Sequence, residues 1–197
     1  MYENIHLTAP KWKSWIIQTT TPLFTPEQCR EIIAAGRARK PETAQVGMNK
    51  RGGGTDTKKR ITTIGWIPFK EMGHMYRDLY IFIQKANENH FGFGDIQITE
   101  NAQFTEYPEG GFYDWHMDCD VNMTHEPPVR KISMTLLLND PAEFEGGELE
   151  VMAPGKFAEL KQGYAICFAS FLNHRVNPVK RGMRQSLVVW FGGKPFR

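Results

Sequence analysis

Beyond residue 95 the chain changes character. Short apolar runs alternate with polar positions and are cut by breaks that carry Pro and Gly: Pro108 to Gly111, Pro127-Pro128, Asn139 to Pro141, Glu145 to Gly147, Ala153 to Gly155 and Lys180 to Gly182. This is the pattern of strands joined by turns. It predicts strands over residues 96–107, 112–118, 131–138, 147–151, 165–168, 174–176 and 185–191. Ahead of residue 95 the period lengthens. Thr25, Pro26 and Gln28 form a capping box with proline in the first turn, opening a helix whose apolar positions are Cys29, Ile32, Ile33 and Gly36. A second helix is predicted over residues 69–90, where Met72, Met75, Tyr76, Leu79, Phe82, Ile83 and Ala86 recur at helical spacing. Strand-like runs at residues 14–19 and 60–68 complete the set.

Two helices followed by a series of short strands predict a mainly β fold with flanking helices (α+β). The expected architecture is a double-stranded β-helix, or jelly roll, with the N-terminal helices packed on one outer face. One domain over residues 1–197 is expected, with 1–94 as helical support and 95–197 as the core. Residues 45–60 fit neither pattern. Gly47, Gly52, Gly53 and Gly54 are mixed there with Lys50, Arg51, Lys58, Lys59 and Arg60, which predicts a mobile basic loop that could act as a lid. It lacks the spacing of a phosphate-binding loop.

Composition narrows the picture only a little. A hydrophobic content of 41% and a charged content of 23% are those of an ordinary globular chain, and a net charge of +2 gives no strong pull toward nucleic acid or membrane. Three cysteines without C-x-x-C spacing argue against a disulfide framework and a structural zinc site. With no signal-peptide pattern and no apolar run of spanning length, the expected location is the cytoplasm.

The chemistry centres on His116-x-Asp118. Residues two apart on a strand point to the same face, so imidazole and carboxylate reach toward one point, two-thirds of a 2-His-1-carboxylate cradle for non-heme Fe(II). His174, at the start of a later strand, is the candidate third ligand. Tyr107 and Tyr113 flank the Gly110-Gly111 turn and are candidates to hydrogen-bond the carboxylate. On the last strand Arg184 and Ser186 share a face with Val188 and Trp190, while Gln185, Leu187, Val189 and Phe191 take the other. A guanidinium and a hydroxyl on an enclosed face suit a ligand carboxylate. The strand of residues 131–139 reads as scaffold.

Residues 102–191 resemble the Fe(II)/2-oxoglutarate-dependent dioxygenases, specifically the prolyl 4-hydroxylase-like branch. The matching positions include Tyr107-x-x-Gly110, Tyr113-x-x-His116-x-Asp118, Gly146-Gly147-Glu148-Leu149, His174-x-Val176-x-Pro178, Gly182-x-Arg184-x-Ser186 and Trp190. The resemblance implies His116, Asp118 and His174 as iron ligands and Arg184 as partner of the distal carboxylate of 2-oxoglutarate. Ser186, Tyr107, Tyr113 and Trp190 are further cosubstrate candidates, and ascorbate is the reductant such an enzyme would use. It also implies hydroxylation of a protein or peptide side chain with release of succinate and CO2. A small-molecule hydroxylase, a nucleic-acid demethylase and a non-enzymatic jelly-roll binding module are the alternatives. Two departures stand out: Leu137 falls where some prolyl hydroxylases place tyrosine, and collagen-type enzymes carry lysine in place of Arg184.

Overall fold

The computed structural model describes residues 14–40, 42–43, 58–119, 128–152 and 159–195. Of the basic loop expected at residues 45–60, positions 45–57 lie outside the described residues.

Helix α1 spans Pro26–Arg37 and starts as its sequence dictates: Thr25 Oγ1 accepts from Gln28 N, and Gln28 Oε1 accepts from Thr25 N. Cys29, Ile32 and Gly36 are buried against the sheet. The approach is close, because a Cβ on Gly36 would lie 2.2 Å from the Phe104 ring. Helix α2 spans Gly73–Ala86, later than the periodicity predicts. The preceding residues form a turn, with Glu71 N donating to Pro68 O, and this occupies the positions assigned to the first helical turn. Its buried face is Met75, Tyr76, Leu79, Ile83 and Ala86, as expected from the spacing. Each of its large aliphatic side chains, when fully buried, contributes roughly 1.5–3 kcal/mol. A π-turn over Asn87–Phe91 closes the helix, and Gly92 ends it in the left-handed region.

Three sheets follow. The eight-stranded sheet runs β1 (Ile16–Gln18), β11 (Ala165–Ala169), β8 (Val129–Leu137), β14 (Arg184–Gly193), β6 (Ala102–Tyr107), β4 (Thr63–Ile67), β2 (Glu42–Thr43), with β5 (Gln97–Ile98) also on β14. A four-stranded sheet runs β10 (Leu149–Val151), β12 (His174–Val176), β7 (Phe112–His116), β3 (Arg60–Ile61). A short pair, β13 (Val179–Gly182) with β9 (Phe144–Gly146), completes the roll.

The large sheet has two unlike faces, as the strand period of two requires. Ile132, Met134 and Leu136 of β8 and Leu187, Val189 and Phe191 of β14 pack in one cluster with the buried faces of both helices. The opposite face carries Arg184, Ser186 and Trp190, together with Ser133 and Thr135, and these polar groups are nevertheless buried. They are buried because the small sheet closes over them, forming the second wall of the roll.

The run at residues 60–68, expected as one strand, is two. Arg60 pairs with Tyr113 in the small sheet, while Thr63 pairs with Glu106 in the large one. Thr62 makes the crossing, its Oγ1 donating to Glu106 O at 2.7 Å. Among the described residues, no helix is long and apolar enough to cross a membrane.

Candidate metal centre and cosubstrate pocket

His116 is the last residue of β7, and Asp118 lies two residues beyond it, outside the strand as it ends here. A different device from strand alternation therefore aims the carboxylate. The backbone N–H groups of Asp118 and Cys119 both donate to Ser170 O, at 3.0 and 2.9 Å, which turns the chain inward. His174 opens β12, and its Cα register partner is His116 itself. Adjacent strands thus deliver both imidazoles and the turn delivers the carboxylate. One ligand atom from each of His116, Asp118 and His174 lies within 4.8 Å of the others.

Hydrogen bonds prepare the two rings in the same way. His116 Nδ1 lies 2.8 Å from Asp114 O, and His174 Nδ1 lies 3.0 Å from Leu172 O. A carbonyl can only accept, so Nδ1 carries the proton in each ring and Nε2 keeps its lone pair. Both Nε2 atoms face Asp118, at 3.8 Å from Oδ1 and 3.5 Å from Oδ2. Burial, then the neighbouring His174, pull His116 down to about 4. For Asp118 burial acts upward, but His174, His116, Arg130 and the Ser133 hydroxyl together outweigh it and hold the group at about 2. At neutral pH His116 is therefore neutral and Asp118 ionised, and two imidazole nitrogens with a carboxylate are the donor set that suits a divalent transition metal.

The partner of the carboxylate is not a tyrosine. Ser133 Oγ donates to Asp118 Oδ2 at 2.6 Å and contacts Ser170 Oγ at 2.9 Å. The scaffold reading of this strand thus missed a residue that orients a candidate ligand. Its signal was the alternation of Ser133 and Thr135 with Ile132, Met134 and Leu136. Tyr113 instead stacks on His116, with centroids 3.5 Å apart and planes at 16°. His116 in turn lies 4.1 Å from His174, which rests on Phe168 at 4.5 Å.

Arg184 enters a cavity of about 540 Å³ bordered by Leu137, Phe144, Gly147, Leu149 and Ile166, and also by Glu145, Glu148 and Glu159. Arg184 is 3% exposed and forms no ion pair among the described residues. Its Nη1 donates to Ser186 Oγ at 2.9 Å, and that hydroxyl lies 2.6 Å from Thr105 Oγ1. Its guanidinium stands 5.5 Å from the Tyr107 ring centroid. Burial pulls Arg184 below its ordinary value, while Tyr107 and Glu148 act upward. The cavity depends on glycine, since a Cβ on Gly147 (φ +70°) would lie 2.8 Å from Arg184 Cδ. A charged fork in an apolar recess, already braced on one side by hydroxyls, fits a ligand carboxylate. Trp190 borders no part of this cavity: it lies further along β14, under the Arg130 guanidinium at 3.8 Å and 6.0 Å from the Trp66 ring.

Residues 102–192 match the family described as the 2OG-Fe(II) oxygenase superfamily. This core belongs to that superfamily. A PKHD-type hydroxylase of Acidovorax ebreus is 36% identical to this chain over 93 residues, which is 45% of this chain and 41% of that protein. The chain therefore spans less than half the length of that curated relative. Among solved structures, a Pseudomonas putida prolyl-4-hydroxylase superposes with a TM-score of 0.68 at 22% identity, covering 91% of this chain and 93% of that one. A Trichoplax adhaerens prolyl hydroxylase, in complex with a hypoxia inducible factor oxygen degradation domain peptide fragment, gives 0.63 at 18% identity over 91% and 84% of the two chains. At such identities these superpositions establish the fold of the oxygenase core and its flanking helices.

Proposed function

We propose that the chain is an Fe(II)- and 2-oxoglutarate-dependent oxygenase that hydroxylates a C–H bond of a peptide or protein side chain, releasing succinate and CO2. The observation that carries this reading is the convergence of two Nε2 atoms and a carboxylate within 4.8 Å, together with a buried arginine on the large sheet that forms no ion pair among the described residues. When bound, iron and the keto acid supply the oxidising chemistry, with ascorbate as the reductant that keeps the metal ferrous.

In this reading His116, Asp118 and His174 would hold the metal through two imidazole nitrogens and a carboxylate oxygen. Ser133 fixes the carboxylate rotamer, and the Asp114 and Leu172 carbonyls fix the two ring tautomers. Arg184, braced by Ser186, takes the far carboxylate of the keto acid and so sets its orientation. Leu137 and Ile166 give apolar walls to the recess that Arg184 enters. Tyr107 contributes a ring beside the guanidinium, and Leu137 supplies no hydroxyl where some prolyl hydroxylases have one.

A peptide or protein substrate is supported by the likeness to prolyl hydroxylase structures, one of which holds a peptide. The nucleic-acid alternative loses ground with Arg60. That residue was counted with the basic loop, yet it is turned inward and buried.

The test is an anaerobic titration of Fe(II), then 2-oxoglutarate, into the parent and into His116→Ala, Asp118→Ala and His174→Ala. A succinate-release screen of peptides, small metabolites and methylated oligonucleotides follows. The parent should bind both, and each variant should lose the metal. A parent that binds Fe(II) but consumes no keto acid with any substrate class would be a binding module instead.

A further inference from the structure

Around the candidate metal centre, Asp118, Arg130 and Arg184 each have either a counterpart among the described residues or the keto acid assigned above, and one further buried ionic group has neither. Asp118 sits between two imidazoles and accepts from Ser133. Arg130 is held by both carboxylate oxygens of Glu100, at 2.7 and 2.6 Å. Arg184 faces the cavity assigned above to the keto acid. The exception is Arg60 of β3.

Arg60 is 9% exposed and has no carboxylate partner among the described residues. Its Nη2 donates to Gln103 Oε1 at 3.1 Å, and its Nε is buried without any hydrogen-bond partner. The guanidinium lies 4.4 Å from the centroid of Tyr113, the ring that stacks on His116. One aromatic ring therefore separates this cation from a candidate metal ligand. A cation–π contact and one neutral acceptor repay only part of the cost of burying a charge. The large sheet holds a second buried donor without a hydrogen-bond partner among the described residues, Trp190 Nε1. The two belong to one patch: Gln103 pairs in register with Trp66 and with Val188, and Trp66 packs on Trp190.

We propose that Arg60 forms a subsite for a carboxylate carried by the primary substrate, on the opposite side of Tyr113 from His116. The inference rests on the oxygenase reading. Nε on the guanidinium edge carries an N–H with no acceptor, and the Nε and Nη2 N–H groups of one guanidinium edge are together one carboxylate wide. Gln103 holds the fork in place without neutralising it, which leaves the charge for the ligand. The carboxylate belongs either to a small free acid, such as an amino acid, or to an acidic side chain of a peptide.

The experiment uses the full chain loaded with Mn(II) and 2-oxoglutarate, with ligand protons observed by NMR so that the metal broadens whatever binds near it. The probes are matched pairs, N-acetyl-proline with its carboxamide, and Ac-Glu-Pro-Gly-NH2 with Ac-Gln-Pro-Gly-NH2. In the parent, the acid of at least one pair should be broadened at a concentration tenfold or more below its amide. The pair that discriminates identifies the source. Arg60→Gln should erase the preference, and Arg60→Lys, which keeps the charge but not the fork, should retain part of it. The preference is a ratio within one protein, so a general loss of folded material cancels. Absence of acid preference in the parent for both pairs, or its persistence in Arg60→Gln, overturns the proposal. Failure of Mn(II) or 2-oxoglutarate to bind in the first step refutes the oxygenase reading itself, a separate outcome.

Discussion

Replacing Arg184 by glutamine should weaken cosubstrate binding without weakening the free protein. In the parent the guanidinium is buried, held by Ser186 Oγ at 2.9 Å, and has no carboxylate beside it among the described residues. Glutamine keeps one amide donor and loses the charge and the second parallel bond. A lost charge-assisted bond is worth about 1.5–3 kcal/mol, or roughly a 10- to 150-fold rise in the 2-oxoglutarate Kd. The ligand-free protein moves the other way, because a buried cation without a counterion is removed, so its Tm should hold or rise. These opposite signs separate the mechanism from simple damage. At a cosubstrate concentration of 100 times the parent Kd, binding stabilises the parent by about 2.7 kcal/mol. A variant weakened ten- to a hundredfold gains only about 1.4 to 0.4 kcal/mol. At about 2–4 °C per kcal/mol for a chain of this size, the ligand-induced shift in Tm falls from roughly 5–11 °C to roughly 1–6 °C. Differential scanning fluorimetry with Mn(II), with and without 2-oxoglutarate, reads both numbers. If the cosubstrate-induced shift survives in Arg184→Gln while the Mn(II)-induced shift collapses, Arg184 serves the metal and the assignment is wrong.

Three further outcomes are expected. Ser133→Ala removes the 2.6 Å bond to Asp118 Oδ2 and should lower metal affinity by about 10- to 100-fold, measured by Co(II) titration; unchanged affinity would make that bond incidental. Gly147→Ala should push Arg184 from its place and raise the 2-oxoglutarate Kd while sparing the metal, and calorimetry with each ligand in turn distinguishes the two. Burial pushes the Cys29 thiol up to about 11 and moves Cys167 further in the same direction. Both should therefore resist iodoacetamide at pH 8 in the native protein and react once it is unfolded; mass spectrometry of the labelled peptides checks this.

What could be read from the sequence was local and periodic. Alternation on β14 put Arg184 and Ser186 on the wall opposite Leu187 and Val189. The capping box placed α1 because Thr25 and Gln28 satisfy each other within one turn. What escaped depends on partners far along the chain. Nothing within residues 60–68 tells that its first two residues pair with β7 and the rest with β6. Arg60 was grouped with its basic neighbours, but Gln103 and Tyr113, distant in sequence, draw it inside. Asp118 reached the right place for a reason other than strand alternation, because Ser170 turns the chain there. Ser133 shows the converse, a legible alternation whose polar members had no evident task until Asp118 was seen beside them.

The crossing at Thr62 has a mechanical consequence. His116 and His174 belong to the small sheet, whereas Arg184 belongs to the large one. A ligand gripped at both ends therefore bridges two separate plates, and the gap between the plates acts as a calliper for its length. Thr62 is a rivet through that calliper. The chain passes from one plate to the other in a single residue, and the hydroxyl of that residue is fastened to the Glu106 carbonyl of the large sheet. Tolerance for a longer or shorter diacid is thus a property of the backbone spacing, and repainting the cavity walls would change how tightly such a ligand is held before it changed which length is accepted.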